Sequence, residues 1–308
     1  MKRSYEFDEE YKSKRRKLTK LDIHPRNYGH LTFNEKFHVY RIDGRKVAYS
    51  VSKFISKFCG KFDRIGKAQQ IVDRNLSANS VYHKMTVEDI LKFWDRRRDD
   101  GTFLHNLIED YIKYGIMFTD RNSKFYKDFA KFLKFYDDLR KDGWINFHAE
   151  MQIYSDKPFM GGMVDLIVYR KVGNKYEYMV IDWKRSRRPD FVDESKTLDY
   201  IIVENDGEII TCSEDKADEI TEFKRKFKSP LEGRHSSTHL KHSLQLFTYV
   251  YMLEKYYSKD YFLFQPEQLK KVANVYFHDS YDSYLMKECI DVRKEVKLMF
   301  EIVNKGLI

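Results

Sequence analysis

The sequence predicts an α/β fold, in which a central β-sheet is flanked by helices. Three consecutive extended segments, at residues 147–154, 162–170 and 176–184, follow a group of predicted helices. A strongly apolar helix is predicted for about residues 241–257, and a late strand follows it at residues 272–278. This succession of helices, strands and further helices is typical of a sheet packed between helices.

Three helices are predicted ahead of the strands, and one closes the chain. Thr86 opens the first, because Asp89 stands three positions later in a near capping box. The second runs from about Thr102 to Tyr114. The third runs from about Ser123 to Leu139, and its aromatic stripe is interpreted as core rather than as a base-stacking platform. The last helix is predicted for residues 281–304.

Two short hairpins complete the predicted elements. Asp43-Gly44 is a strong turn signal between extended runs, and a helix follows it within residues 37–58. A second, small hairpin is predicted around Asn205-Asp206-Gly207, inside the long polar region 185–238.

The composition favours a polyanionic partner. The chain has 308 residues, of which 57 are Lys or Arg and 48 are Asp or Glu, so the formal net charge is +9. A basic surface favours nucleic acid, with an anionic membrane surface as the alternative. No apolar run approaches the length that would cross a bilayer.

The domain organisation is predicted to be a basic tail followed by one domain. The predicted divisions are the tail 1–20, an N-terminal extension 21–85, a core 86–284 with an insertion at 185–238, and a C-terminal helix 285–308. The tail carries a basic cluster at residues 12–17, which is either a nuclear localisation signal, a nucleic-acid-contacting arm or a solvated tail.

An intracellular location is expected from the N-terminus and the cysteines. The N-terminal segment has no apolar stretch of a secretory signal. Cys59, Cys212 and Cys289 are far apart and form no CxxC pair, so they indicate neither a disulfide framework nor a zinc ribbon.

Two carboxylates inside apolar strands carry the first chemical signal. Asp165 stands in GGMVDLIVYR and Asp182 in YMVIDWKRS. A carboxylate in such a strand is costly unless something pairs it, and two on adjacent strands repel each other. A bound divalent cation removes both costs. The alternative is an ordinary exposed ion pair.

Lys184 adds an ammonium group to the carboxylates of Asp165 and Asp182. Side chains alternate along a strand, so Asp182 and Lys184 share a face, about 6–7 Å apart. The ammonium group can orient or help to deprotonate an attacking water, or stabilise charge on a phosphate. Gly161-Gly162, ahead of Asp165, allows close approach of another backbone or a substrate.

Three further polar residues interrupt apolar helix faces. His105 lies in GTFLHNLIEDY and is either a metal ligand or a hydrogen-bonded core residue. Gln245 and Tyr249 lie one turn apart in SLQLFTYVYML. They either satisfy local backbone groups or reach toward a phosphate or Lys184.

Together the ordered motifs GTxxH, GGxVD preceded by an acidic residue, IDWK and QxxxY resemble the RecB-like branch of the PD-(D/E)XK nucleases. Mitochondrial genome maintenance exonuclease and nucleases of large DNA viruses are similar, over roughly residues 36–258. The resemblance implies a restriction-endonuclease-like core, with a central mixed sheet of about four strands flanked by helices.

The resemblance also implies roles for individual residues. His105, Asp165 and Asp182 are expected to be metal ligands, and Glu150 either a ligand or a supporting residue. Lys184 is the lysine of the (D/E)xK motif. Gln245 and Tyr249 are expected to brace the site and the DNA strand. The three arginines that follow the lysine are plausible phosphate contacts, or else part of a solvated loop: Arg185, Arg187 and Arg188.

The predicted function is therefore Mg²⁺- or Mn²⁺-dependent hydrolysis of DNA. Exonuclease action on single strands or ends is expected from the resemblance alone. An RNA endonuclease with the same metal site and an inactive nucleic-acid-binding module are the alternatives. No iron–sulfur cluster is expected, because the four cysteines that hold one in some relatives are absent.

Overall fold

The structure of the chain is a computed structural model, built on a central β-sheet with helices on both faces. The residues described are 26–27, 29–34, 37, 39–59, 62–74, 76, 78, 80–185, 201–205, 208–212, 229–231, 237–259, 263–277 and 282–307. For 201–205 and 208–212 the description covers the backbone. The predicted tail 1–20, and Arg187 and Arg188, lie outside these ranges.

The secondary structure follows the predicted order of elements. The strands are β1 (Leu31–Asn34), β2 (Val39–Ile42), β3 (Arg45–Lys46), β4 (Tyr49–Ser50), β5 (Ile145–Ser155), β6 (Met160–Val172), β7 (Lys175–Lys184), β8 (Ile201–Asn205), β9 (Glu208–Cys212), β10 (Leu269–Tyr276) and β11 (Leu285–Glu288). The helices are α1 (Val51–Cys59), α2 (Arg64–Asp73), α3 (Val87–Tyr114), α4 (Tyr126–Lys141), α5 (Thr238–Met252) and α6 (Arg293–Asn304). Both predicted hairpins form, since β2 pairs with β3 and β8 with β9.

Among the described residues, six strands form the central sheet. Their order is β11-β10-β7-β6-β4, with β5 paired to β6. The pairs β7–β10 and β4–β6 are parallel and the others antiparallel, so the sheet is mixed. The predicted α/β class is confirmed. The sheet exceeds the expected four strands because the short edge strands β4 and β11 extend it.

The last predicted helix, residues 281–304, is wrong in its first part. Leu285–Glu288 forms strand β11, and helix α6 begins only at Arg293. Strand β10 offers backbone donors and acceptors along its free edge, and a neighbouring segment satisfies them only as a strand. The N–H of Cys289 continues this pairing by donating to the carbonyl of Val272 at 2.8 Å.

The first two predicted helices are one helix, α3, of 28 residues. Thr86 and Asp89 form the expected capping box at its start. Gly101 lies in the interior, where a glycine costs about 1 kcal/mol relative to alanine. That cost does not break the helix, because its N-terminal half packs against α2 and its C-terminal half against α4.

Helices cover both faces of the sheet. Helices α1, α5 and α6 bury one face, and α3 and α4 bury the other. The aromatic stripe of α4 is core, as predicted: the Phe132 and Phe135 rings pack edge-on against Trp183, with centroids 5.9 and 5.7 Å away. Within the described part of the chain, no helix is long and apolar enough to cross a membrane.

Candidate metal centre

Three carboxylates lie level with one another on three neighbouring strands. The β6–β7 register pairs Leu166 with Ile181, so the next residues on the two strands, Asp165 and Asp182, face each other. On the other side of β6, the β5–β6 register places Glu150 opposite Asp165. Asp165 is 8% exposed and Asp182 is 3% exposed. The sheet therefore gathers acidic groups where unpaired charge is costly.

Glu150 has a strained backbone. Its φ is +51°, in the left-handed region that non-glycine residues rarely adopt. Such a conformation costs on the order of 1–3 kcal/mol and tends to persist where surrounding structure imposes it, often at functional sites. The strain falls in β5 at the level of Asp165. It is thus a second indication, independent of burial, that this point of the sheet is a site.

His105 reaches the carboxylates from helix α3. Its Nε2 lies 3.2 Å from the carbonyl oxygen of Trp183, to which the ring N–H donates. Its Nδ1 then faces Asp165 Oδ2 at 3.4 Å and Glu150 Oε1 at 3.8 Å. A histidine that donates one ring N–H to a backbone carbonyl and turns the other nitrogen toward acidic oxygens has the usual arrangement of a metal ligand.

The donor atoms of His105, Glu150 and Asp165 all lie within 4.8 Å of one another. They suit a divalent cation, because one imidazole nitrogen and two carboxylate oxygens converge on one point. Oε1 of Glu150 is buried and makes no hydrogen bond to any of the described residues. A buried acidic oxygen of this kind is expensive without a partner, and a cation would supply one.

Asp182 and Lys184 form an ion pair beside this group. Lys184 Nζ lies 2.5 Å from Asp182 Oδ2, which confirms that the two side chains share a face of β7. Asp182 is not among the three residues whose donor atoms cluster within 4.8 Å. Asp165 instead accepts a hydrogen bond from the N–H of Trp183 at 2.9 Å. The Trp183 ring points to the opposite face, as expected.

The carboxylates and the cationic groups perturb one another strongly. Burial raises the pKa of Asp165, and the neighbouring charge of Asp182 raises it further. Burial also raises the pKa of Glu150. For His105, burial favours the neutral ring, but Asp165 and Glu150 outweigh it and raise the pKa to about 9. Lys184 behaves likewise: Asp182 and Asp165 raise its pKa against the effect of burial.

Gln245 and Tyr249 adjoin the acidic residues on α5. The Gln245 side-chain amide donates to the Tyr249 hydroxyl at 3.1 Å. Burial raises the pKa of Tyr249, and the charges of Asp182 and Asp165 contribute. The Tyr249 ring lies against Gly162, three residues before Asp165 on β6. The structure thus brings these two residues to the site, although they also bond to each other.

A backbone or a substrate is expected to approach Gly161-Gly162 closely, but the structure places two tyrosine side chains there. A Cβ on Gly161 would lie 2.8 Å from the ring of Tyr40, and one on Gly162 would lie 2.7 Å from the ring of Tyr249. The two glycines therefore make room for two tyrosine rings.

Tyr40 lies close to the site, and the sequence reasoning missed it: its ring packs against Gly161, four residues before Asp165 on β6. Its side chain is 3% exposed, and the charges of Glu150 and Asp165 add to burial in raising its pKa. It comes from β2, in the N-terminal hairpin. Tyr40 lies within the span 36–258 of the resemblance, but nothing in the local pattern links the tyrosine to the acidic strands.

Asn274 is a second residue that was missed, and here a signal was available. It stands inside the apolar strand KKVANVYF and is fully buried. The β7–β10 register pairs it with Asp182, so it continues the polar row onto a fourth strand. The rule that identified Asp165 and Asp182, a polar residue inside an apolar strand, applies equally to Asn274.

Arg185 is engaged by protein groups. Its Nε donates to Asp128 Oδ2 at 2.8 Å, and its Nη1 lies 3.5 Å from Asp100. The guanidinium also lies over the Phe125 ring, 5.4 Å from the centroid. These contacts tie the end of β7 to α4, and they occupy a group that was expected to contact phosphate.

No protein-family model matches this sequence, and no curated protein matches it. The candidate site therefore rests on its own geometry.

Proposed function

We propose that this protein is a metal-dependent nuclease that hydrolyses phosphodiester bonds in DNA, in the manner of PD-(D/E)XK enzymes. The observation that carries the proposal is the convergence of His105, Glu150 and Asp165 donor atoms within 4.8 Å, beside the Asp182–Lys184 ion pair. Isolated buried acids and isolated ion pairs are common. Here the acidic group includes a residue with a strained backbone, and both an imidazole and a lysine lie beside the acids.

The cation, when bound, would supply a Lewis acid that lowers the pKa of a coordinated water and neutralises phosphate charge. His105, Glu150 and Asp165 would hold it, and Asp182 would turn toward it from its ion pair with Lys184. Lys184 is poised to keep its ammonium beside the reacting phosphate and to stabilise the charge that develops on it. Tyr249, whose hydroxyl accepts a hydrogen bond from Gln245, would restrict where the substrate sits.

The donor set favours Mn²⁺ over Mg²⁺. Mg²⁺ prefers an octahedral shell of oxygens, whereas an imidazole ligand suits softer divalent ions. Two carboxylates and one imidazole fit Mn²⁺ well, and Mg²⁺ is expected to support a slower reaction.

The net charge of +9 supports a nucleic-acid substrate. The preference for single-stranded DNA or DNA ends rests on the resemblance to RecB-like exonucleases. RNA cleavage and binding without cleavage are therefore outcomes that the test must be able to detect.

The test is cleavage of end-labelled single-stranded DNA, duplex DNA, circular DNA and RNA, with Mn²⁺, Mg²⁺ or a chelator. We expect metal-dependent loss of linear DNA, fastest with Mn²⁺. Cleavage of RNA alone would indicate the ribonuclease. Binding of DNA with no cleavage under any metal would overturn the enzymatic proposal.

A further inference from the structure

Asn274 is a buried polar residue whose side chain is only half paired. It is 0% exposed, and its Nδ2 lies 3.3 Å from the Cys289 sulfur, to which it donates. Its Oδ1 is buried and has no hydrogen-bond partner among the residues that the structure describes. If the amide is turned around, the oxygen meets the thiol and the nitrogen is left unpaired instead. One polar atom stays unpaired either way.

An unpaired buried polar atom costs on the order of 1–3 kcal/mol. An apolar side chain of the same shape would avoid this cost, since the flanking β10 residues are apolar and buried. The thiol of Cys289 is a weak acceptor and offers little in return. The fold by itself therefore gives no reason for an asparagine at this position.

The residue opposite Asn274 supplies a reason. The parallel register pairs Asn274 with Asp182, and Asp182 holds Lys184 Nζ at 2.5 Å. The three side chains share the α5 face of the sheet. Burial raises the pKa of the Cys289 thiol to about 12, and the charges of Asp182 and Lys184 also act on it. The β7–β10 register places the amide of Asn274 next to Asp182, one member of the ion pair.

A divalent cation at the site would compete with Lys184 for the Asp182 carboxylate. An ammonium group released by Asp182 needs another acceptor if it is to stay in the site, because Lys184 is only 20% exposed. Asp165 is already engaged by the Trp183 N–H and by His105. The Asn274 carbonyl is neutral and buried, and the strand register places it beside Asp182, so it can accept a hydrogen bond without opposing the cation.

We propose that Asn274 is a positioning residue, whose side-chain oxygen accepts a hydrogen bond from Lys184 when Asp182 turns toward a divalent cation. The proposal rests on the proposed function. It assigns the unpaired oxygen a partner in the metal-bound state. It also explains how Lys184 remains beside the reacting phosphate after it loses its ion pair.

The test compares Asn274→Leu, which keeps the side-chain shape and removes the acceptor, with the control Thr248→Val. Thr248 is also 0% exposed, but its hydroxyl bonds to the Leu244 carbonyl at 2.6 Å within α5. We expect Asn274→Leu to weaken Mn²⁺ binding, measured by calorimetry, by about tenfold or more. Thr248→Val should bind Mn²⁺ as the wild type does.

The melting temperature without metal separates this role from a structural one. Asn274→Leu should melt at or above the wild-type temperature, because an unpaired polar group has been removed. We also expect kcat to fall and KM to hold. Should Asn274→Leu fail to fold, the smaller Asn274→Ala carries the same expectation for Mn²⁺ affinity and kcat, while the cavity it leaves lowers its melting temperature. Wild-type Mn²⁺ affinity in a folded Asn274 variant overturns the inference alone. Absence of Mn²⁺ binding by the wild type overturns the proposed function and the inference with it.

Discussion

Two groups of acidic residues in this molecule are neutralised in different ways. Asp128 is 1% exposed, and Arg185 donates to it at 2.8 Å. The same arginine lies 3.5 Å from Asp100, which also binds Lys124 at 2.6 Å. Two acids thus meet two permanent cations, and the charges balance within the protein.

The acidic residues of the sheet are not balanced in this way. Among the described residues, the ion pairs of Glu150, Asp165 and Asp182 involve one permanent cation, Lys184, together with His105, which is charged only when it is protonated. Burial of a carboxylate is therefore a weak sign of function by itself. An excess of buried acids over permanent cations, at a strained backbone, is the more specific sign, because bound protons or a further cation must neutralise it.

The largest effect on DNA cleavage should come from substitutions in the acidic group of the sheet. Asp182→Ala or Lys184→Ala should reduce DNA cleavage by about 100-fold or more, because a group that acts in the transition state is lost. Circular dichroism should show the fold retained. The control is Glu177→Ala, since Glu177 also lies on β7 and pairs with Arg170 at 2.8 Å. Full activity in either site variant would refute the assignment.

Substitutions in the group around Asp128 and Arg185 should instead change the stability of the fold. Arg185→Ala leaves the buried Asp128 without its cation and should lower the free energy of unfolding by roughly 2–3 kcal/mol. Urea denaturation measures this. Lys124→Ala, which removes an exposed partner, should cost less than about 1 kcal/mol. Unchanged stability with a large loss of DNA affinity would restore Arg185 as a phosphate contact.

The acidic residues of the sheet and His105 should make the stability of the protein depend on pH. The pKa of His105 is raised to about 9, so its contribution to stability is complete below about pH 6.5 and is lost as the pH rises through 9. The raised pKa values of Asp165 and Glu150 act in the same direction, since the folded acids hold protons at a pH where the unfolded chain has lost them.

Without metal, the melting temperature should therefore fall between pH 6.5 and 9. Mn²⁺ affinity should rise over the same range, by up to about tenfold per pH unit, because binding must displace the His105 proton. Melting and calorimetric titrations at several pH values measure both trends. His105→Gln should flatten them, and slopes that persist in this variant would show that another group is responsible.

The smallest expected effect concerns Tyr249. Tyr249→Phe keeps the ring on Gly162 and removes the hydroxyl that Gln245 binds. Cleavage should fall by about three- to tenfold, with less than about 1 kcal/mol change in stability. Tyr257→Phe is the contrast, because that hydroxyl bonds to Asn27 and to the N–H of Tyr154. It should lower stability and leave cleavage unchanged, and the reverse pattern would make Tyr249 structural.

Much of the fold and part of the site could be predicted from local pattern. The apolar strands around Asp165 and Asp182, the capping box at Thr86 and the hairpin at Asp43-Gly44 are all short-range signals. The errors have tertiary causes. The edge of β10 recruited a segment with helical periodicity as β11, and packing on both halves of α3 overrode the glycine at position 101.

The sequence by itself determined that polar groups would interrupt apolar strands, because alternation and hydrophobicity are properties of neighbouring residues. It also set Asp182 and Lys184 on one face. Only the tertiary structure decided that His105 faces Asp165 and Glu150, that the Tyr40 ring packs against Gly161, and that Arg185 is held by Asp128. Those relations depend on strand register and on helix packing across 40 or more residues, and a local pattern specifies neither.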